Sequence, residues 1–145
     1  MNSSAEKREN ELRRGNHWIR LNQLGSIILD ACISVHRALG PGLLESAYSK
    51  ALIKELTFRG ISVDQNVPFE LCYKGEILGK AYVADLVVEN EVIIELKAVE
   101  MLLPIHKFQL ITYLKVANKQ LGYLINFNVP LIKDGFIRIV NNYSA

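Results

Sequence analysis

Residues 83–97 read VADLVVENEVIIELK, two short apolar segments on either side of the polar triplet Glu89-Asn90-Glu91. Short segments rich in valine, isoleucine and leucine around a polar triplet predict two antiparallel β-strands joined by a tight loop. Three charged residues interrupt these strands: Asp85 in the first, and Glu95 and Lys97 in the second. Buried ion pairs seldom stabilise a fold more than apolar residues do, so these charges indicate a functional site.

The length of the connecting loop determines which side chains meet. If the polar triplet forms a three-residue loop, Val88 lies opposite Val92. Asp85 then lies opposite Glu95, with Cβ atoms about 5 Å apart. Side chains alternate along a strand, so Lys97 shares the face of Glu95 about 6.6 Å further on. A shift of one residue would place the two acids on opposite faces of the sheet.

Two adjacent carboxylates repel each other unless a proton or a cation lies between them. A hard divalent cation relieves this repulsion, and magnesium typically binds one or two carboxylates together with water. The pattern therefore predicts a magnesium or manganese site at Asp85 and Glu95. The competing interpretation is structural, with Lys97 forming a salt bridge to one of the two acids.

The flanking sequence predicts one mixed α/β domain in which helices pack on a single sheet. Helical spacing of apolar residues, turn signals and alternating strands define the elements. A buried apolar strand after the last helix suggests a right-handed crossover to a parallel partner. The predicted helices cover residues 21–39, 43–58 and 104–118, and the predicted strands cover residues 61–67, 69–73, 77–88, 92–97, 121–127 and 136–140.

The first 16 residues have many charges of both signs and few apolar side chains. This composition predicts a disordered or frayed tail for residues 1–16 and a single domain for residues 17–145. The net charge of the 145-residue chain is +2, which is compatible with a nucleic-acid partner without requiring one.

Cys32 and Cys72 lack the spacing of a zinc site or a disulfide framework. We therefore expect reduced thiols in a cytoplasmic protein. No apolar segment approaches the roughly 20 residues of a membrane span, so a membrane partner is not expected.

Glu45 is a further charged residue in an otherwise apolar pattern. It shares one helical stripe with Tyr48, Leu52 and Leu56, at spacings of three, four and four. The carboxylate is therefore predicted to approach the sheet. The alternative is an exposed acid in the first turn of a helix, where the helix dipole favours a negative charge.

Gln109 and Tyr113 lie four residues apart, hence on one face of the last predicted helix. They are candidates for contacts with a nucleic-acid backbone, or alternatively form a satisfied polar pair on a half-buried helix. His36 and His106 are isolated in sequence, and each is predicted to be a hydrogen-bonded core histidine rather than a metal ligand.

Several segments in order resemble one known family. Residues 42–48 match the GxxExxY motif, and the similarity extends from about residue 21 to residue 128. The chain therefore resembles the GxxExxY proteins of the PD-(D/E)XK nuclease-like superfamily. The matching segments are VHRALGPGLLESAY (35–48), YKGEILG (73–79), ADLVVEN (84–90), IIELKAVE (93–100), HKFQLITYLK (106–115) and LGYLINF (121–127).

This resemblance implies a restriction-endonuclease-like core, with a mixed β-sheet in α-β-β-β-α-β order flanked by helices. It implies a Mg²⁺ or Mn²⁺ site formed by Asp85, Glu95 and the Leu96 carbonyl, with Glu45 as a direct or water-mediated ligand. It also implies that Lys97 acts in catalysis together with the acids.

In the same family pattern Gln109 and Tyr113 resemble a QxxxY element that binds nucleic acid. The expected function is therefore metal-dependent hydrolysis of phosphodiester bonds in DNA or RNA. The alternative is a catalytically inactive module that keeps the nuclease fold and binds nucleic acid or a protein. A protein partner and a homodimer are both compatible with the sequence.

Overall fold

The computed structural model describes residues 3–141 and arranges them around one five-stranded sheet. The helices are α1 (Ser3–Leu39), α2 (Glu45–Phe58) and α3 (Pro104–Ala117), and a short 3-10 helix covers Ile132–Gly135. The strands are β1 (Val63–Tyr73), β2 (Glu76–Val88), β3 (Val92–Lys97), β4 (Leu121–Asn126) and β5 (Phe136–Val140). Residues 1, 2 and 142–145 of the predicted tail and domain lie outside the described part of the chain.

The strand order in the sheet follows the chain order, β1-β2-β3-β4-β5. Only the pairing of β3 with β4 is parallel, and α3 provides the crossover between them. The other three pairings are antiparallel. The predicted mixed α/β fold with a restriction-endonuclease-like core is therefore confirmed.

The loop between β2 and β3 has the predicted length, because Val88 pairs with Val92. Glu89 and Asn90 adopt positive φ angles of 51° and 57°. The loop is anchored from two sides. The Glu89 amide donates to the Ser62 carbonyl at 2.9 Å, the Ser62 amide donates to Glu89 Oε1 at 2.8 Å, and Lys119 Nζ donates to the Asn90 carbonyl at 2.6 Å.

The two faces of the sheet bury separate apolar clusters. One cluster joins α1 and α2 to residues such as Leu86 and Ile94, and the other joins α3 to residues such as Val87 and Ile93. Every residue of β4 is buried, as expected for a central strand covered on both faces.

The alternation of side chains in β2 changes next to Asp85. Ala84 and Val87 belong to the cluster beneath α3, whereas Leu86 belongs to the cluster beneath α1 and α2. On β1 the ladder passes from Gln65 to Val67, skipping Asn66, which has a φ of 52°. Side chains therefore do not alternate strictly through Asp85, because the backbone is irregular at this point.

The predicted disordered or frayed tail differs from the structure, in which α1 runs continuously from Ser3. The side chains of residues 3–16 are exposed, as the composition suggested. They are mostly strong helix formers, and Arg13 pairs with Glu9 one turn earlier at 2.5 Å. An already formed helix is extended at little cost, which explains the helical conformation.

Pro68 does not separate two strands as expected but lies within β1. β1 is an edge strand, where proline is tolerated because one row of backbone amides has no partner strand. Register shifts follow it between Phe69 and Cys72. Among the helices of residues 3–141, none has the length and apolar composition needed to cross a membrane.

Candidate metal and nucleic-acid site

Asp85 and Glu95 meet where β2 and β3 separate. The backbone ladder between these strands is described up to the pair of Leu86 and Ile94. Beyond this pair, the carboxylates of Asp85 and Glu95 accept hydrogen bonds from backbone amides in place of backbone carbonyls. The Asp85 amide donates to Glu95 Oε1 at 3.3 Å, and the Leu96 amide donates to Asp85 Oδ2 at 2.9 Å. The predicted proximity of the two carboxylates is therefore present in the structure.

The Leu96 carbonyl is directed toward the same gap between β2 and β3. The Lys97 carbonyl accepts from the Phe127 amide at 3.0 Å, so it points toward the β4 side. Backbone groups alternate in direction along a strand, and the amide and carbonyl of one residue point to the same side. The Leu96 amide points toward Asp85, so the carbonyl of Leu96 opens beside the two acids.

The environment of Glu95 disfavours its ionised form. Glu95 is 8% exposed. Burial raises its pKa to about 8, with further raising by the charge of Asp85, while Lys97 lowers it. At neutral pH the pair therefore retains a proton unless a cation takes its place.

Lys97 does not form the salt bridge of the competing structural interpretation. Across residues 3–141, no Lys97 nitrogen lies within 4.0 Å of a carboxylate oxygen. Its charge still acts on the site, because it lowers the pKa of both Glu95 and Glu45. The ammonium group is therefore free to contact a substrate or a water molecule.

Glu45 lines a cleft of about 250 Å³ together with Asp85 and Leu96. The cleft also contains polar side chains of α2 and β1, namely Ser46, Ser49, Gln65 and Asn66. Glu45 is exposed, while the other members of its stripe are fully buried. Its pKa is raised by burial and by the charge of Asp85, and lowered by Lys97. Both descriptions of Glu45 hold in part, since the residue is exposed and yet shares the cleft with Asp85.

Within residues 3–141, no group of three or more histidine, cysteine, aspartate and glutamate side chains is placed so that it could hold a metal ion. The acid pair nevertheless fits a hard divalent cation. Its oxygens are adjacent and lack a cationic partner, and the Leu96 carbonyl opens beside them. Magnesium is typically held by one or two carboxylates and several waters, which matches this open arrangement.

Tyr113 lies next to the acid pair, whereas Gln109 lies on the exposed surface one turn earlier. The ring of Tyr113 stacks on Tyr82 with centroids 3.9 Å apart. Burial raises the pKa of Tyr113, with additional raising by Glu95 and then Asp85. Among the described residues the Gln109 side chain has no hydrogen-bond partner, although its backbone belongs to α3. The interpretation as a satisfied polar pair therefore does not apply to Gln109, whose amide is available to a ligand.

His36 is the predicted core histidine, whereas His106 is hydrogen-bonded but lies outside the core. His36 is buried, and its Nε2 lies 2.8 Å from the Val129 carbonyl. His106 caps the start of α3, where its Nδ1 accepts from the Leu103 amide at 3.0 Å.

Tyr48 positions the start of α2, a role that sequence reasoning missed. Its fully buried hydroxyl donates to the Gly40 carbonyl at 2.6 Å and accepts from the Leu43 amide at 3.0 Å. Its ring stacks on Phe127 with centroids 4.6 Å apart. The segment that leads into Glu45 is therefore fixed to the core. A tyrosine in an otherwise apolar stripe was the available signal, because a buried hydroxyl needs partners.

Asn126 fixes the segment that follows Lys97, and it was also missed. Its side-chain oxygen accepts from the Val99 amide at 3.1 Å and the Asn128 amide at 3.2 Å, and its nitrogen donates to the Val99 carbonyl at 2.9 Å. A buried asparagine within the apolar segment LGYLINF was the signal, since buried amides are normally hydrogen-bonded.

Replacing Tyr48 by phenylalanine is expected to weaken magnesium binding several-fold while preserving the fold. The ring stack remains, but the Gly40 carbonyl and Leu43 amide lose their partner, which costs about 1–3 kcal/mol of stability. Calorimetric titration measures the affinity, and Tyr73→Phe, at an exposed tyrosine, is the control. Unchanged affinity in Tyr48→Phe would contradict a positioning role toward Glu45.

The raised pKa of Glu95 predicts that the metal-free protein loses stability as pH rises. Between the ordinary value of 4.5 and about 8, the folded state binds the proton that the unfolded state has released. Stability is therefore highest below this window and falls across it, by at most about 1.4 kcal/mol per pH unit. Urea unfolding between pH 5 and pH 8 measures the slope, which Glu95→Gln should flatten and the exposed control Glu70→Gln should leave unchanged.

Comparison with protein families places this arrangement in a known group. The model of the PD-(D/E)XK nuclease superfamily matches residues 22–139, which include every candidate site residue described above. Comparisons with curated proteins and with solved structures found no match. On the extent of the family match, the chain belongs to the PD-(D/E)XK nuclease superfamily.

Proposed function

We propose that this protein is a metal-dependent nuclease that hydrolyses phosphodiester bonds of DNA or RNA, with Mg²⁺ or Mn²⁺ as cofactor. The observation that carries the proposal is the contact between Asp85 and Glu95 beside Lys97, which has no carboxylate partner among residues 3–141. Membership of a nuclease superfamily supports the reaction class.

The proposed ligands are Asp85, Glu95 and the Leu96 carbonyl, with Glu45 binding directly or through water. A bound divalent ion lowers the pKa of a water molecule and neutralises charge on the phosphate. Asp85 Oδ2 also accepts a hydrogen bond from the Leu96 amide at 2.9 Å. This bond would hold the end of β3 in place when the charges in the site change.

Lys97 is proposed to orient the attacking water or to stabilise the charge that develops on the phosphate. The exposed Gln109 is proposed to contact the phosphate backbone. Tyr113, stacked on Tyr82 and close to the acids, would limit how deeply the strand enters the site.

Incubation of the purified protein with labelled single-stranded, duplex and branched DNA and RNA tests this proposal. Cleavage that requires Mg²⁺ or Mn²⁺ and stops with EDTA is the expected result. Absence of metal-dependent cleavage from all of these substrates would reject the nuclease function.

The second candidate function is a nuclease-fold module that binds nucleic acid or a protein without cleaving anything. Exposed apolar side chains on α3 favour it, because Ile105 is 59% and Phe108 63% exposed. Exposed apolar groups of this size are common at protein interfaces, including those of homodimers.

A cytoplasmic location is also proposed, based on the two free cysteines, Cys32 and Cys72.

A further inference from the structure

A second cavity of about 350 Å³ lies beside the acidic cleft along one chain segment. Gly40 and Pro41 line this cavity, whereas Glu45 and Ser46 line the cleft. The Cα atoms of Pro41 and Glu45 are at most about 14 Å apart, the reach of four extended residues. The segment between Gly40 and Ser46 therefore connects the two sites, with the cavity at its start and the cleft at its end.

The walls of the second cavity are formed by three parts of the chain that are fixed to one another. The last two turns of α1 contribute Ile33 and Arg37, the segment before α2 contributes Pro41, and residues 130–133 form the opposite wall. The hydrogen bond of His36 to the Val129 carbonyl ties the first part to the third. The bond of Tyr48 to the Gly40 carbonyl ties the second part to the core. The cavity is thus formed before any ligand binds.

The chemistry of this cavity is apolar with a cationic border. Aliphatic and proline side chains form most of its wall, Arg37 and Lys133 contribute the charges, and its lining contains no acidic residue. Within residues 3–141, neither the Arg37 side chain nor the Lys133 side chain has a salt-bridge or hydrogen-bond partner. The negative end of the α1 dipole favours a cation, and this explains the position of Arg37 without a ligand. It does not explain the position of Lys133, which belongs to a separate segment.

We propose that this cavity is a subsite for one unpaired nucleotide of the substrate strand. Its base would pack against the proline and aliphatic walls, and its phosphate would contact Arg37 and Lys133. A base that is stacked and paired in a duplex cannot enter a cavity, so the subsite selects single-stranded or frayed segments. This inference rests on the proposed function, because it assumes that the neighbouring cleft holds the adjacent phosphate.

The test measures binding without cleavage. Labelled single-stranded and blunt duplex oligonucleotides of DNA and RNA are titrated with the protein in EDTA. The variant Arg37→Ala/Lys133→Ala should bind the single strand about ten-fold more weakly or worse, with a smaller salt dependence, and should bind the duplex nearly unchanged. The control Lys7→Ala/Lys54→Ala removes the same charge from exposed positions elsewhere and should leave the single-strand preference intact.

A second variant separates base insertion from charge alone. Leu131→Trp fills the cavity from its border, where Leu131 is 56% exposed, so the core is not disturbed. It should weaken single-strand binding while both cations remain. Equal loss of single-strand and duplex binding in Arg37→Ala/Lys133→Ala, or unchanged single-strand binding in Leu131→Trp, would overturn the subsite.

These outcomes distinguish failure of the subsite from failure of the proposed function. A protein that cleaves nothing but shows the expected binding pattern rejects the nuclease and keeps the subsite. A protein that cleaves but binds single strands equally well in all variants keeps the nuclease and rejects the subsite.

Discussion

Asp85→Asn is expected to abolish magnesium binding and to lower cleavage on the order of a thousand-fold, as for loss of a group that stabilises transition-state charge. The variant should remain folded, because the asparagine oxygen can still accept the Leu96 amide that Asp85 Oδ2 accepts at 2.9 Å. Removing the charge of Asp85 also removes one cause of the raised pKa of Glu95. The metal-free variant should thus be as stable as the wild type or more so.

Calorimetric titration with magnesium and urea unfolding of the metal-free protein together test this expectation. Asp64→Asn is the matched control, because Asp64 is an exposed aspartate on β1 of the same sheet. Loss of metal binding with retained stability supports Asp85 as a ligand. Undiminished magnesium affinity in Asp85→Asn excludes it.

Lys97→Ala is expected to separate metal binding from turnover. The acids remain, so magnesium affinity above pH 8 should persist or increase once a nearby positive charge is removed. Cleavage should fall on the order of a hundred-fold, because one contact to developing charge is lost. Affinity for nucleic acid should change much less, since one cation is only part of the phosphate-binding surface.

The pH of this comparison matters, because Lys97 lowers the pKa of Glu95 and Glu45. In Lys97→Ala both carboxylates hold a proton more tightly, which opposes metal binding near neutral pH. Titration above pH 8 removes this competition and reveals the effect of the charge alone. Lys115→Ala, an exposed lysine of α3, is the control. If wild type and Lys97→Ala both bind magnesium and nucleic acid, and neither cleaves, the binding module becomes the better interpretation.

The fold could be predicted from sequence where local signals and packing agree. The polar triplet between two apolar strands set the pairing of Val88 with Val92, and the structure has that pairing. The continuous apolar pattern of β4 likewise predicted a central strand. Strict alternation failed at Asp85, because side-chain carboxylates take over from the backbone ladder there.

Other features depend on contacts between distant segments and left weaker signals. The hydrogen-bond partners of Tyr48 lie in the loop before α2. Gly40 comes within reach of the Tyr48 hydroxyl only when this loop is folded. The cavity between Arg37 and Lys133 joins residues nearly one hundred positions apart. The helical state of residues 3–16 follows from continuity with the packed part of α1, which composition alone does not reveal.

The anchored loop between β2 and β3 restricts where residues can be inserted or deleted in this fold. An inserted or deleted residue there would break the bonds of Glu89 and Asn90 and shift Glu95 away from Asp85. The turn at Lys74 and Gly75 connects exposed strand ends, where two residues can be gained together without altering the opposite end of the hairpin. Insertions should therefore be tolerated at the turn of Lys74 and Gly75 and selected against in the anchored loop.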